Sequence, residues 1–150
     1  MNTVKHLNNS SLQSLLKRRF TFWNKKYIVP MVLAALLGTI LDTFLVCMQL
    51  YEFPIRPLPG IFLINIFYSF IGLPIFVFIF LCTISQVNKW GRVGSILFVS
   101  LLMAIIEKLA EVLGLFAHSA RWEHLYTFLG YLFFLTVISF LHDWFDKGKG

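Results

Sequence analysis

The chain has 150 residues, of which 58% are hydrophobic, 17% aromatic and only 13% charged, and its formal net charge is +6. A soluble domain would carry about 25% charged residues, so this composition excludes an ordinary soluble domain and indicates an integral membrane protein. The basic residues lie in short segments beside apolar runs, as in membrane proteins, which predicts the lipid bilayer and no nucleic acid as the partner.

Residues 1–26 form a polar, basic leader that we expect on the cytoplasmic side. From residue 10 to residue 24 the apolar side chains recur at helical spacing, which predicts an amphipathic helix lying in the membrane interface. A disordered basic leader is the alternative. Anionic lipid would attract the basic residues of this segment, which are Lys17, Arg18, Arg19, Lys25 and Lys26.

Four apolar runs follow, and about 20 helical residues suffice to cross the hydrocarbon core. We predict spans over residues 28–50, 61–84, 94–116 and 125–141, within a transmembrane domain of residues 27–142 and before a cytoplasmic tail of residues 143–150. The last span is the shortest, and Pro74 predicts a kink in the second. The predicted fold class is all-α, an integral membrane four-helix bundle with an N-terminal amphipathic interfacial helix.

Two connectors join the spans on the side opposite the termini. The first, residues 51–60, holds three of the five prolines, so we expect it to be extended. The second, residues 117–124, is short and aromatic and contains His118, Glu123 and His124. These three side chains have the chemistry to bind a metal, but histidines at a membrane interface are common. We therefore predict neither a metal site nor a cofactor.

Five polar side chains interrupt the predicted spans. Ionisable groups at membrane depth cost a few kcal/mol each, so they usually face protein or a water-filled cavity. A rise of about 1.5 Å per residue puts two of the carboxylates roughly 20 Å into the bilayer. The sequence therefore predicts one intramembrane polar layer formed by Asp42, Asn65, Glu107, Lys108 and Glu111.

The layer has two interpretations. In the first, the protein is a structural or interaction protein whose buried polar network joins the helices, as a homo-oligomer or in a larger membrane complex. In the second, it is a small proton- or cation-coupled carrier, or a ligand-binding membrane protein, that uses Asp42, Glu107 and Glu111. An enzyme is less favoured, because the sequence has no phosphate-binding glycine loop, nucleophile elbow or metal-spaced histidine and cysteine cluster.

The distribution of basic residues predicts the orientation. The two connectors opposite the termini contain only Arg56 and Arg121, whereas the leader, the middle turn and the tail contain ten basic residues. By the positive-inside rule both termini are then cytoplasmic. The ten are Lys5, Lys17, Arg18, Arg19, Lys25, Lys26, Lys89, Arg92, Lys147 and Lys149.

Five segments of the chain form a recognisable set: LGTILD (37–42), YEFPIRP (51–57), IN (64–65), IGLP (71–74) and MAIIEKLAE (103–111). With these segments the chain resembles an uncharacterised family of small four-span membrane proteins from Gram-positive bacteria. The resemblance covers residues 27–142 and implies a cell-membrane location, without an activity, a cofactor or a catalytic residue.

Overall fold

The computed structural model describes residues 24–147, so the predicted interfacial helix with Lys17, Arg18 and Arg19 lies outside the described residues. The described part is mainly helical. Its elements in chain order are α1 (Lys25–Cys47), β1 (Tyr51–Glu52), a π-helical turn (Tyr68–Gly72), α2 (Leu73–Ile84), α3 (Lys89–Val112), β2 (Ala117–His118) and α4 (His124–Lys147).

Three helices, α1, α3 and α4, are long and apolar enough to cross a membrane. The fourth apolar helix, Tyr68–Ile84, is shorter than the predicted second span, and α4, with 24 residues, extends beyond both ends of the predicted last span. The connector before Tyr68–Ile84 forms turns in which Arg56 donates hydrogen bonds to the carbonyls of Phe53 and Phe62. Asn65 then accepts a hydrogen bond from the Tyr68 N–H at 3.3 Å and caps the helix.

The helix departs from α geometry where the sequence predicts a kink. Pro74 lies in the first turn of α2, directly after the π-helical turn. A proline inside a helix has no N–H to donate, and its ring crowds the carbonyl four residues earlier. A π-helical turn inside an α-helix is rare and often lies at a functional site. Here that turn contains Tyr68 and Ser69, whose hydroxyl groups contact other helices.

Both connectors meet at one end of the bundle in a two-stranded sheet, a small departure from the predicted all-α class. α1 and α3 each end before a residue with left-handed backbone, Gln49 (φ 55°) and Gly114 (φ 71°). At both helix ends, the residue directly after the left-handed one donates its N–H to the carbonyl five residues before it, as in a Schellman motif. The chain then leaves each helix extended, and β1 pairs antiparallel with β2, with Tyr51 opposite His118.

The helices pack around two apolar clusters, one under the sheet and one nearer the opposite end. α1 packs on α2 and α4, and α3 packs mainly on α4. Gly38 of α1 lies against Leu73 of α2, since a Cβ built at Gly38 would lie 2.3 Å from Leu73 Cδ2.

Ion pairs join helix ends at the end of the bundle away from the sheet. Lys26 Nζ lies 3.1 Å from Asp146 Oδ1, and Arg92 pairs with Asp143. Lys25, the other described member of the predicted basic set, is exposed. Each ion pair includes a carboxylate more than one-third exposed, and such pairs contribute at most about 1 kcal/mol.

Candidate functional site

A cavity of about 390 Å³ lies between the two apolar clusters. Three of the five predicted layer residues line it, Asp42 from α1, Asn65 from the connector and Glu107 from α3. Eight of the other lining side chains are aromatic, among them Tyr68 and Tyr131. Asp42 and Glu107, which helix geometry predicts at equal depth, therefore line one cavity with aromatic walls.

Asp42 is held by two neutral hydroxyl groups. The Tyr51 hydroxyl donates to Oδ1 at 2.6 Å, and the fully buried Ser69 donates to Oδ2 at 3.2 Å. Burial raises the pKa of Tyr51, and the charge of Asp42 raises it further, so the phenol stays a hydrogen-bond donor. Within residues 24–147, no lysine or arginine forms an ion pair with Asp42.

Glu107 is held by a different set of donors, from β2 and α4. Its Oε1 accepts a hydrogen bond from the Thr127 hydroxyl, and the same oxygen lies 2.9 Å from His118 Nε2. Trp122 Nε1 donates to the Thr127 oxygen at 3.2 Å, so an indole supports the hydroxyl that contacts the carboxylate. The Thr127 side chain is itself buried.

A tyrosine pair completes the polar lining of the cavity. The hydroxyl groups of Tyr68 and Tyr131 are 2.7 Å apart and connect the π-helical turn to α4. Asn65 also lines the cavity, and its side-chain oxygen accepts a hydrogen bond from the Tyr68 N–H of its own helix.

Lys108 and Glu111 do not line the cavity, so the predicted layer divides into two sets. Lys108 points away, its side chain is 56% exposed, and it pairs with Glu111, three residues later on the same helix, at 2.7 Å. It is not the counter-ion of Asp42 or Glu107, because it lies about 100° around the helix from Glu107. Glu111 instead faces His118 and His124, at 3.3 and 3.8 Å.

The second set, which we name the His–Glu cluster, consists of Glu107, Glu111, His118 and His124. Three of its members, Glu107, His118 and His124, each offer one ligand atom, and these atoms lie within 4.8 Å of one another. In the sequence, Glu123 is the carboxylate beside the two histidines, whereas in the structure Glu107 is the carboxylate grouped with them. Sequence spacing does not predict this contact, because strand pairing and helix packing bring α3, β2 and the start of α4 together.

The arrangement is suited to binding a positively charged group. Two carboxylates face an apolar, aromatic space, and tyrosine and tryptophan faces attract cations as well. Comparisons of the chain with protein-family models, curated proteins and solved structures found no match.

Proposed function

We propose that the protein is a four-span cell-membrane protein with both termini cytoplasmic. Its cavity binds a small organic cation whose substituents are apolar. One observation carries this proposal. Asp42 and Glu107, from different helices, line one aromatic cavity of about 390 Å³, and neither pairs with a lysine or arginine of the described residues.

Membrane insertion is supported by the three long apolar helices and by the position of the connectors. Helix Tyr68–Ile84 has 17 residues, a length of about 25 Å, which is near the lower limit for a span. With this helix as the second span, the sheet lies on the outer face. The ten basic residues of the leader, middle turn and tail then lie on the cytoplasmic side. The resemblance to the Gram-positive family supports the same location.

Charge and size favour a small cation over an anion or a large substrate. Two ionised carboxylates in a low-dielectric space repel each other, and a bound cation would relieve this repulsion. A cation over an aromatic face gains about 0.5–2 kcal/mol more, depending on how far it is desolvated. A cavity of about 390 Å³ lies at the lower end of the usual range for small-molecule sites, about 300–1,000 Å³.

The two carboxylates also occupy equivalent positions in two similar helical hairpins. Asp42 lies seven residues before the left-handed Gln49 that ends α1, and Glu107 lies seven residues before the left-handed Gly114 that ends α3. Each hairpin then continues through a strand into the next helix. Sites at the interface of two structural repeats are common in membrane transporters, which supports a ligand site between these halves.

The experiment measures cation binding to the full chain in nanodiscs by titration calorimetry. The probe is benzyltrimethylammonium, its uncharged control is neopentylbenzene, and a chelator removes trace metals. We expect Asp42→Asn and Glu107→Gln to weaken binding of the ammonium probe at least tenfold. Asp146→Asn, a matched change at the other end of the bundle, should leave it unchanged. Equal binding of the charged and uncharged probes would refute the proposal.

A carrier coupled to protons or cations is the extension of this proposal. If the bound cation displaces a proton from one carboxylate, its binding and proton release are linked. Flux of the same ammonium probe into liposomes tests the extension. Transport that is equal in the wild type and in Asp42→Asn would exclude it, and binding without transport would identify a ligand-binding protein.

A structural or interaction protein is the second candidate, favoured by the hydrogen bonds that both carboxylates make between helices. Asp42 joins α1 to the π-helical turn through Ser69, and Glu107 joins α3 to α4 through Thr127. If this network only holds the helices together, the wild type will not bind the ammonium probe, and both variants will be less stable. Crosslinking in native membranes would then test for a homo-oligomer or larger complex.

A further inference from the structure

The His–Glu cluster lies at the sheet end of the bundle, where three segments of the chain meet. Glu107 and Glu111 are one turn apart on α3, His118 is in β2, and His124 is the first residue of α4. The pairing of His118 with Tyr51 across the sheet fixes the strand. The His118 ring stacks on Trp122 with an interplanar angle of 13°. The imidazole is therefore held between a carboxylate, a strand and an indole.

The ligand atoms have the identity and spacing that a borderline divalent metal requires. Glu107 Oε1 is 2.9 Å from His118 Nε2 and 4.0 Å from His124 Nδ1. Tetrahedral zinc with bonds of about 2.0–2.2 Å sets its ligand atoms about 3.3–3.6 Å apart. Relative to that spacing, the contact of Glu107 with His118 is about 0.5 Å too short and its contact with His124 about 0.5 Å too long. The His124 side chain is 44% exposed, so its ring has room to move. Two imidazoles and one carboxylate favour zinc over magnesium or calcium.

Glu111 faces the ring nitrogen of each histidine that is not directed at Glu107, so it can orient both imidazoles. His118 uses Nε2 toward Glu107, and its other nitrogen, Nδ1, lies 3.3 Å from Glu111 Oε1. His124 uses Nδ1 toward Glu107, and its Nε2 lies 3.8 Å from Glu111 Oε2. Histidines that bind metals usually donate their second N–H to a carboxylate. The ammonium of Lys108, 2.7 Å from Glu111, would keep that carboxylate in place.

One buried atom in the cluster lacks a hydrogen bond among the described residues. The His118 side chain is 4% exposed, and its Nδ1 makes no hydrogen bond despite its ion-pair distance to Glu111. Buried polar atoms of this kind are rare. A metal on Nε2 would fix the tautomer with the proton on Nδ1, and a small shift would then complete the bond to Glu111.

We propose that Glu107, His118 and His124 bind one Zn²⁺ ion, with Glu111 orienting the two imidazoles. The four groups Glu107, Glu111, Lys108 and Zn²⁺ would then carry a formal charge of +1. The fourth coordination position would be free for water or another ligand, as in zinc sites with three protein ligands. This inference does not rest on cation binding in the cavity, since Asp42 has no part in the cluster.

The first test measures Zn²⁺ binding to the full chain, purified without a polyhistidine tag and reconstituted in nanodiscs. We expect one Zn²⁺ per chain in competition with a chelator of known affinity. His124→Gln and Glu107→Gln should weaken binding at least 100-fold, and Glu111→Gln should weaken it about 10- to 100-fold. Glu123→Gln is the matched control, since this exposed carboxylate lies outside the cluster, and it should bind as the wild type does.

A second measurement uses only the wild type, so its result cannot be caused by a variant that fails to fold. Co²⁺ bound to the wild type should give the visible absorption bands of a tetrahedral site, and Zn²⁺ should abolish them. Fewer than one Zn²⁺ per chain, or equal affinity in the wild type and His124→Gln, would overturn the proposal. Asp42→Asn separates the two proposals, because it should weaken binding of the ammonium probe at least tenfold and leave Zn²⁺ binding intact.

Discussion

Replacing Thr127 with valine tests how strongly the buried network holds α3 against α4. Valine keeps the shape of threonine but removes the hydroxyl that donates to Glu107 and accepts from Trp122 Nε1. A hydrogen bond to a charged group contributes about 1.5–3 kcal/mol. A neutral one between membrane helices averages about 0.6 kcal/mol. His118 still contacts the carboxylate, and the half-buried Trp122 can recruit water. We therefore expect a loss of about 1.5–3 kcal/mol if Glu107 is ionised.

The assay is reversible unfolding in mixed micelles with increasing dodecyl sulfate, followed by far-ultraviolet circular dichroism. Thr136→Val is the matched control, because this exposed threonine of α4 donates only to the Leu132 carbonyl of its own helix, at 2.7 Å. The control should change the free energy of unfolding by less than about 0.5 kcal/mol. A loss near 0.6 kcal/mol at Thr127 would indicate a neutral Glu107. A loss equal to the control would refute the stabilising role of the network.

Three further changes test packing, the cavity and the orientation. Gly38→Val should destabilise the protein by about 1–3 kcal/mol in the same unfolding assay, because the new side chain meets the buried Leu73. Gly130→Leu should abolish binding of the ammonium probe with little loss of stability, since Gly130 lines the cavity and a Cβ there meets nothing within 4 Å. A maleimide that cannot cross the membrane should label Glu123→Cys in intact cells and leave Gln86→Cys unlabelled, in a background without native cysteines. The reverse pattern would overturn the orientation.

The helices were predictable because their apolar runs are long, but their ends were not. Hydropathy locates where a chain can enter lipid, whereas caps determine where a helix begins and ends. Asn24 and Asn88 accept backbone hydrogen bonds and start α1 and α3 before the predicted spans, and the left-handed Gln49 and Gly114 end them early. The offset of three to five residues therefore arises from local hydrogen bonds that hydropathy does not contain.

The contacts of the site were predictable only between residues whose relative positions follow from helix geometry alone. Asp42 and Glu107, which helix geometry predicts at equal depth, line one cavity, and the i,i+3 spacing of Lys108 and Glu111 on one helix is sufficient for their ion pair. The hydroxyl groups that hold the carboxylates come from other helices and from the connector, so no spacing rule predicts them. His118 reaches Glu107 because β2 pairs with β1, a contact between segments more than 60 residues apart.

The two hairpins differ in what surrounds their carboxylates, and this difference separates the two proposed sites. Four residues after Asp42 comes the apolar Val46, whereas four residues after Glu107 comes Glu111. Among the described residues, Asp42 accepts hydrogen bonds from two neutral hydroxyl groups, so no positively charged side chain competes there with a bound cation. Glu107 has His118 beside it, whose second nitrogen faces Glu111, an arrangement typical of a metal ligand. Because Glu107 belongs to both sets, a metal ion bound there would neutralise one of the two cavity carboxylates. Zinc and an organic cation are thus expected to bind antagonistically, and in the metal-bound protein Asp42 would be the one cavity carboxylate whose charge still attracts the organic cation.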